Sequence, residues 1–250
     1  MAKRKKIVAA GQWVRAVAYT VPNSTGDETA RRARLRISSA ARQKMNLKTS
    51  AQKLQVVLNA NFGPRDLHVT LNYDDRHRPE TKAAANRKLQ RFFAKLRARR
   101  KVDGQELRYV YVTEQATAES RHVHHHIILN ATGHDLQLIK ELWGYGTDVE
   151  IQYLRDWGLG LEALAQYLTK EPRICGQPHV GERTWTPSLG LYKPKPETGY
   201  LGDGETLQEP FGAIVIKREE KKGEYGGYLY LEYWLPDGGD AENWSPPKTV

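Results

Sequence analysis

Residues 121–130 read Arg-His-Val-His-His-His-Ile-Ile-Leu-Asn, a run of histidines feeding straight into an apolar stretch. Strand side chains alternate between faces, so His122, His124 and His126 share one face. Val123, His125, Ile127 and Leu129 share the other. A purification tag or a surface histidine tract normally has no strand attached, and here Ile127, Ile128 and Leu129 follow at once. Two neutral imidazoles on one face, two residues apart, can hold one divalent ion. His124 and His126 are the favoured pair, because the apolar strand begins directly beyond them. His122 lies on the same face but nearer a turn, and stands as their alternate. His125 points away and is a packing or solvent-facing residue.

The 250 residues suffice for one large domain, or for one typical domain with extensions. No Gly-x-x-x-x-Gly-Lys-Ser/Thr sequence is present, which argues against a P-loop motor. The net charge is +10, unevenly spread. Residues 1–50 hold twelve basic residues against Asp27 and Glu28, and residues 82–101 hold nine with no acid. A polyanion, most simply nucleic acid, is the expected partner. Cys175 is the only cysteine, so an intramolecular disulfide and a cysteine zinc motif are excluded. The basic start is followed by too short an apolar stretch, Ile7 to Ala10, for a signal core, and no window approaches a membrane span. The expectation is a cytoplasmic protein with no membrane partner.

Periodicity divides the chain into a basic, helical N-terminal extension (1–60), a core (61–175), and a final region (176–250). In the extension, Thr49 and Ser50 can cap a helix in which Leu54, Val57 and Leu58 share a face. In the core, Leu67 to Tyr73 alternates as a half-buried strand. Thr81 opens a helix to about Lys101 that buries Ala85, Leu89, Phe92, Phe93 and Leu96. Leu107 to Glu114 and His122 to Asn130 are strands paired as a hairpin. A short helix over His134 to Trp143, a strand over Val149 to Leu154 and a helix over Leu161 to Lys170 complete the core. The order β-α-β-β-α-β-α predicts an α+β fold, a central antiparallel sheet with flanking helices of ferredoxin-like or RNA-recognition-like layout. Six of the twelve prolines fall between Pro172 and Pro210, an irregular segment wrapping the core or linking outward. Ala213 to Ile216 and Tyr228 to Trp234 then form a C-terminal β-hairpin, packed on or beside the core.

Glu114 ends the strand before the histidines, so hairpin pairing can bring its carboxylate to the His-x-His pair. Two imidazoles and one carboxylate leave coordination positions open for water or phosphate. Such a set suits Mn²⁺ or Mg²⁺ in use, and Zn²⁺, Co²⁺ or Ni²⁺ in vitro. A second constellation, Tyr167-Leu168-Thr169-Lys170, places Tyr167 and Lys170 three apart on a face away from the stripe of Leu161, Leu164, Ala165 and Leu168.

Together these motifs resemble those of the HUH endonucleases, specifically single-tyrosine rolling-circle replication initiators of phages, plasmids and related elements. His124-His125-His126-Ile127-Ile128-Leu129 is similar to the family's metal-binding strand, and Tyr167-Leu168-Thr169-Lys170 to its tyrosine helix. Leu67-His68-Val69-Thr70-Leu71-Asn72-Tyr73 is similar to its first motif, and Leu142-Trp143-Gly144-Tyr145-Gly146 to a segment of prophage-type members. The resemblance covers roughly residues 55–190. His125 departs from it, since the motif expects a hydrophobic residue there.

The resemblance implies an HUH endonuclease core over 61–175 that cleaves single-stranded DNA at a replication origin by transesterification. Tyr167 would be the nucleophile, forming a 5′-phosphotyrosyl link. His124, His126 and Glu114 would hold the metal, and Lys170 would add positive charge at the phosphate. The basic helix, through Arg87, Lys88, Arg91, Lys95 and Arg99, would grip phosphates, with the N-terminal arm beside it. The missing motor implies an outside, host helicase. Tyr228, Tyr230 and Trp234 either stack bases or pack the last strand on the core. The rival readings are a related HUH transposase or relaxase, a non-catalytic nucleic-acid binder, and a metal-dependent hydrolase with no covalent step.

Overall fold

The computed structural model describes residues 3–21, 39–115, 123–170, 184–202, 204–223 and 226–236. Its strands and helices, in chain order, are β1 (Lys3–Ala10), β2 (Trp13–Thr20), α1 (Ser39–Asn61), β3 (Leu67–Leu71), α2 (Lys82–Val102), β4 (Tyr109–Gln115) and β5 (Val123–Leu129). They continue as α3 (Asp135–Trp143), β6 (Val149–Tyr153), α4 (Glu162–Leu168), β7 (Thr186–Pro187), β8 (Glu197–Leu201), β9 (Ile214–Gly223) and β10 (Gly226–Trp234). The fold is α+β, with two antiparallel five-stranded sheets among the described residues. Each sheet anchors its own compact unit.

One unit comprises Met1–Thr49, Gln55–Asn61 and Tyr192–Val250, with strand order β8-β1-β2-β10-β9. The expected helical extension is therefore, over residues 3–20, a β-hairpin that shares a sheet with strands from the far end of the chain. The physical reason lies at Gly11, which occupies the first central position of a two-residue turn at φ 58°. A Cβ there would stand 2.8 Å from the Asn59 carbonyl oxygen, so glycine is required. One sheet face buries Val14, Ala16, Ala18, Leu229, Leu231 and Tyr233. Part of the other face buries Val8, Ala10 and Trp13 with Val56 of α1. The charged stretch expected to join two short strands is itself strand. Lys217 to Lys222 run along β9, an edge strand, where charge discourages pairing with another chain.

The second unit comprises Ser50–Leu54 and Phe62–Leu191. Its sheet runs β6-β3-β5-β4-β7 with every neighbour antiparallel. Numbering its four main strands from β3 gives the order four-one-three-two, which is the expected split βαβ, ferredoxin-like layout. α2 is capped by Thr81, whose side chain accepts from the Ala84 N–H, and it buries the five predicted apolar residues and Arg100. With α3 it covers one sheet face, packing Leu89, Phe92, Phe93 and Leu96 on Leu67, Val69, Leu71, Ile127 and Leu129. Phe93 stacks on Tyr109 with ring centroids 3.8 Å apart. The chain leaves α3 through Trp143, whose indole donates to the Asn72 carbonyl at 2.7 Å. At Gly146 a Cβ would come within 2.6 Å of that same carbonyl oxygen, which explains glycine in this segment.

Two polar groups lie inside this apolar layer. Arg100 is buried and donates to Asp135 (2.7 Å), to the Asn130 side chain (2.8 Å) and to the Asn130 carbonyl (2.8 Å). Removing either charge of such a pair costs about 3–5 kcal/mol, because the other is left buried and alone. His125 is 0 % exposed, with Nε2 at 2.7 Å from the Tyr73 hydroxyl and Nδ1 at 2.9 Å from the Thr113 hydroxyl. It is thus a packing residue, and both ring nitrogens are satisfied.

Burial, with the neighbouring His124 and His126, pushes the His125 imidazole from 6.5 down to about 3. Below pH 6.5 the unfolded chain takes up this proton while the folded protein does not, so stability falls as pH drops through that window. Urea melts from pH 7 to 4 are expected to show this loss. In His125→Gln, which does not titrate, the slope should flatten by as much as one proton, about 1.4 kcal/mol per pH unit. An unchanged slope would show that His125 is not the group responsible.

Candidate functional site

The sheet face opposite α2 and α3 carries the even-numbered residues of β3, β4 and β5. In the hairpin register Glu114 stands directly across from His124, and Val112 across from His126, which in turn faces Thr70 of β3. Both histidine Nε2 atoms converge on one carboxylate oxygen of Glu114, at 3.3 Å from His124 and 3.1 Å from His126. One ligand atom from each of the three lies within 4.8 Å of the others, so the group can hold a metal ion. Ligands bonded to one ion at about 2.1 Å, set 90° to 110° apart, stand roughly 3.0–3.4 Å from one another. The two nitrogen–oxygen distances fall in that range, so the donor set fits a divalent ion. His122 lies outside the described residues.

Burial alone would raise the Glu114 carboxyl. Hydrogen bonds from His124 and His126, and the charges of His124 and Lys170, outweigh it and hold the group well below the usual carboxylate range. His126 is lowered, first by burial, with the Glu114 hydrogen bond opposing and His124 and Lys170 reinforcing. A carboxylate that stays ionised and an imidazole that stays neutral are the forms that bind metal.

The tyrosine segment reaches the same face. Two 3₁₀ turns, Leu154–Trp157 and Leu159–Leu161, lead into α4, and Leu161 enters it at φ 52°, uncommon for a non-glycine residue. The helix ends at Leu168 rather than Lys170, because the Thr169 hydroxyl bonds back to the Ala165 carbonyl and stops the last turn. The Tyr167 hydroxyl lies 3.5 Å from Nε2 of His126, at the outer edge of hydrogen bonding. Lys170, just past the helix, places Nζ 3.4 Å from Glu114 and 3.8 Å from the centroid of the Tyr167 ring. Five residues singled out in sequence, Glu114, His124, His126, Tyr167 and Lys170, are therefore neighbours.

Residues 66–172 match the profile of a family described as Replication-associated protein, of the ORF2 type. The match runs from the turn before β3 to just beyond α4 and contains all five neighbours. It supports a protein of DNA replication. No curated protein and no solved structure matches the chain.

The basic positions of α2 are not brought to this cluster. Arg87, Arg91, Lys95 and Arg99 are exposed on a helix that packs against the other face of the sheet. Lys88 differs from them, being half-buried, bonded to the His77 carbonyl, and lying 5.4 Å and 5.1 Å from the ring centroids of Tyr73 and Tyr145.

Sequence reasoning missed His68. Its Nε2 lies 3.3 Å from Nδ1 of His126, and its ring meets Trp157 and Tyr167 edge-on. Burial, reinforced by His126 and weakly opposed by Gln152, pushes it down to about 3, so it is neutral. The alternation of β3 marks His68 as polar and hence outward. β3, however, lies between β6 and β5, and α4 closes over its polar face.

Proposed function

We propose that this protein is a single-stranded DNA nicking-joining enzyme of the HUH type, which starts rolling-circle replication through a 5′-phosphotyrosyl intermediate. The observation that carries the reading is the 3.5 Å approach of the Tyr167 hydroxyl to His126, inside a group able to hold a metal. The profile match to replication-associated proteins supports it independently.

In this reading Tyr167 Oη attacks the scissile phosphorus and the P–O3′ bond breaks. O3′ leaves as a free hydroxyl, and the phenolic proton accounts for the one it gains. Bound at Glu114, His124 and His126, a divalent ion, Mn²⁺ or Mg²⁺, supplies Lewis-acid stabilisation of the phosphoryl charge. Lys170 sets a fixed positive charge beside both the phenol and the carboxylate, where negative charge develops. The tilted Trp157 ring, 5.5 Å from that of Tyr167, limits where the phenol can swing. The bond energy is kept in the covalent link, so resealing needs no ATP. A host helicase opens the duplex, and the exposed arginines and lysine of α2 hold DNA away from the cut.

The test uses a pool of random single-stranded oligonucleotides with Mn²⁺, labelled at either end. A denaturant-stable adduct that carries the 3′ label and leaves a free 3′-hydroxyl on the released piece is the expected result. Sequencing the trapped strands then gives the origin. Cleavage without an adduct would favour a hydrolase that uses activated water.

His68 has a supporting role in this scheme. When His126 ligates through Nε2, its Nδ1–H must donate, and His68 Nε2 and Thr70 Oγ1 are both at 3.3 Å. His68→Ala is expected to weaken Mn²⁺ binding by about 10- to 100-fold, read by calorimetric titration. Thr70→Val should cost less, because His68 remains. Wild-type affinity in His68→Ala would show that Thr70 alone orients the ring.

A further inference from the structure

We infer that the open end of the sheet β8-β1-β2-β10-β9 is a second surface for single-stranded DNA, with bases stacking on Tyr200, Tyr19 and Tyr228. The register lines these residues up in one row across all five strands. Tyr200 pairs with Arg4, Arg4 with Tyr19, Tyr19 with Tyr228, and Tyr228 with Lys221. Residues paired directly across strands share a face, so three rings and two cations stand side by side. The next row on that face holds Lys6, Val17 and Tyr230. Tyr228 and Tyr230 lie nearly parallel, with centroids 6.4 Å apart.

Exposure is confined to this end. Tyr200 is 67 % exposed and Tyr19 and Tyr228 are each 36 % exposed, whereas Val8, Ala10 and Trp13 farther along the same face are buried against α1. Single exposed aromatics need no explanation, but three in one row interleaved with cations form a patch. Arg4, Lys6 and Lys221 are exposed and make no ion pair among the described residues. The acid nearest the row, Glu219, is engaged by Lys217 at 3.4 Å.

Ring faces beside fixed cations match one polyanion best. Single-stranded nucleic acid offers phosphates and unstacked bases together, while a duplex hides its base faces and an acidic protein has no use for the rings. The preference for DNA over RNA rests on the function proposed above; the stacking surface itself does not. It belongs to the unit that does not contain Tyr167, so the two can fail separately.

The experiment is fluorescence anisotropy of the full chain with labelled oligo-dT across a salt series. Tyr200→Ala, Tyr19→Ala and Tyr228→Ala are each expected to weaken binding by about fivefold or more, and the Phe variants to retain it. Arg4→Ala and Lys221→Ala should each reduce the salt slope by about 0.7. Tyr200 sits on an edge strand with most of its surface in water, so Tyr200→Ala tests the surface without threatening the fold. Tyr167→Phe should bind oligo-dT like the wild type, which keeps this result independent of nicking. Wild-type affinity and slope in Tyr200→Ala and Tyr228→Ala would overturn the inference. So would displacement of oligo-dT by duplex DNA at lower concentration than by unlabelled single strand, and tighter binding of oligo-U would overturn the choice of DNA.

Discussion

Tyr167→Phe is expected to lower covalent capture of single-stranded DNA by at least about a thousandfold, the scale of removing a nucleophile from a working site. The substitution deletes one oxygen and leaves the ring. That ring meets His126 and His68 edge-on, at 5.1 Å and 6.2 Å, and lies beneath Lys170. Those contacts survive in Phe, so the melting midpoint should shift by no more than about 0.5 kcal/mol of stability allows. Oligonucleotide affinity should also stay at the wild-type level. The discriminating readout is the product. Loss of both adduct and strand cleavage supports tyrosine attack. Cleavage that continues without an adduct would transfer the reaction to activated water and sink the nicking-joining reading, while the metal group could still be correct. Lys170→Ala offers a graded companion, because it removes charge beside the phenol without removing the nucleophile. Its cost should be smaller, near one hundredfold or about 2.7 kcal/mol of barrier.

Much of the second unit is legible in the sequence because its elements each bury one regular face. α2 carries Ala85, Leu89, Phe92, Phe93 and Leu96 at helical spacing, and α2, β4, β5 and α3 fall within one or two residues of their expected bounds. The grouping of Glu114 with His124 and His126 is legible for the same reason, since a hairpin with a strand period of two leaves few registers that bring a carboxylate to a His-x-His pair. The N-terminal strands are not legible by periodicity. β1 runs Lys-Arg-Lys-Lys-Ile-Val-Ala-Ala and β2 is rich in alanine, so neither shows clean alternation. Their stability comes from pairing with β8 and β10, roughly two hundred residues away, which no local window senses. Gly11 between two eight-residue runs is the one local sign of the hairpin. His68 escapes notice because alternation reports polarity and not whether a polar face is covered. Only the four-one-three-two strand order shows that β3 is central and closed on both sides.

His126→Ala should be the most damaging change among the candidate metal ligands, and the reason is its position rather than its chemistry. His126 is 3 % exposed and stands within 3.5 Å of Glu114, His68, Thr70 and Tyr167, whereas His124 is 24 % exposed and meets Glu114 from the rim. Either substitution removes one nitrogen ligand, so both should abolish Mn²⁺-dependent nicking by about three orders of magnitude while sparing oligonucleotide binding. Stability separates them. Without metal, His126→Ala opens a cavity beneath the tyrosine and takes a donor from the buried side of Glu114, at a cost of about 1–3 kcal/mol. His124→Ala leaves water free to replace the lost donor and should cost well under about 1 kcal/mol. With Mn²⁺ at a hundred times its dissociation constant, the wild type should gain about 2.7 kcal/mol, and both variants should lose that gain. Thermal or urea melts with and without Mn²⁺ read all three quantities. A His124→Ala protein that keeps full metal stabilisation and full nicking would hand its role to His122 and shift the ligand pair by two residues along the strand. A His126→Ala protein that keeps them would remove the metal group from the mechanism altogether, since no register of β5 then leaves two histidines beside Glu114 and Tyr167.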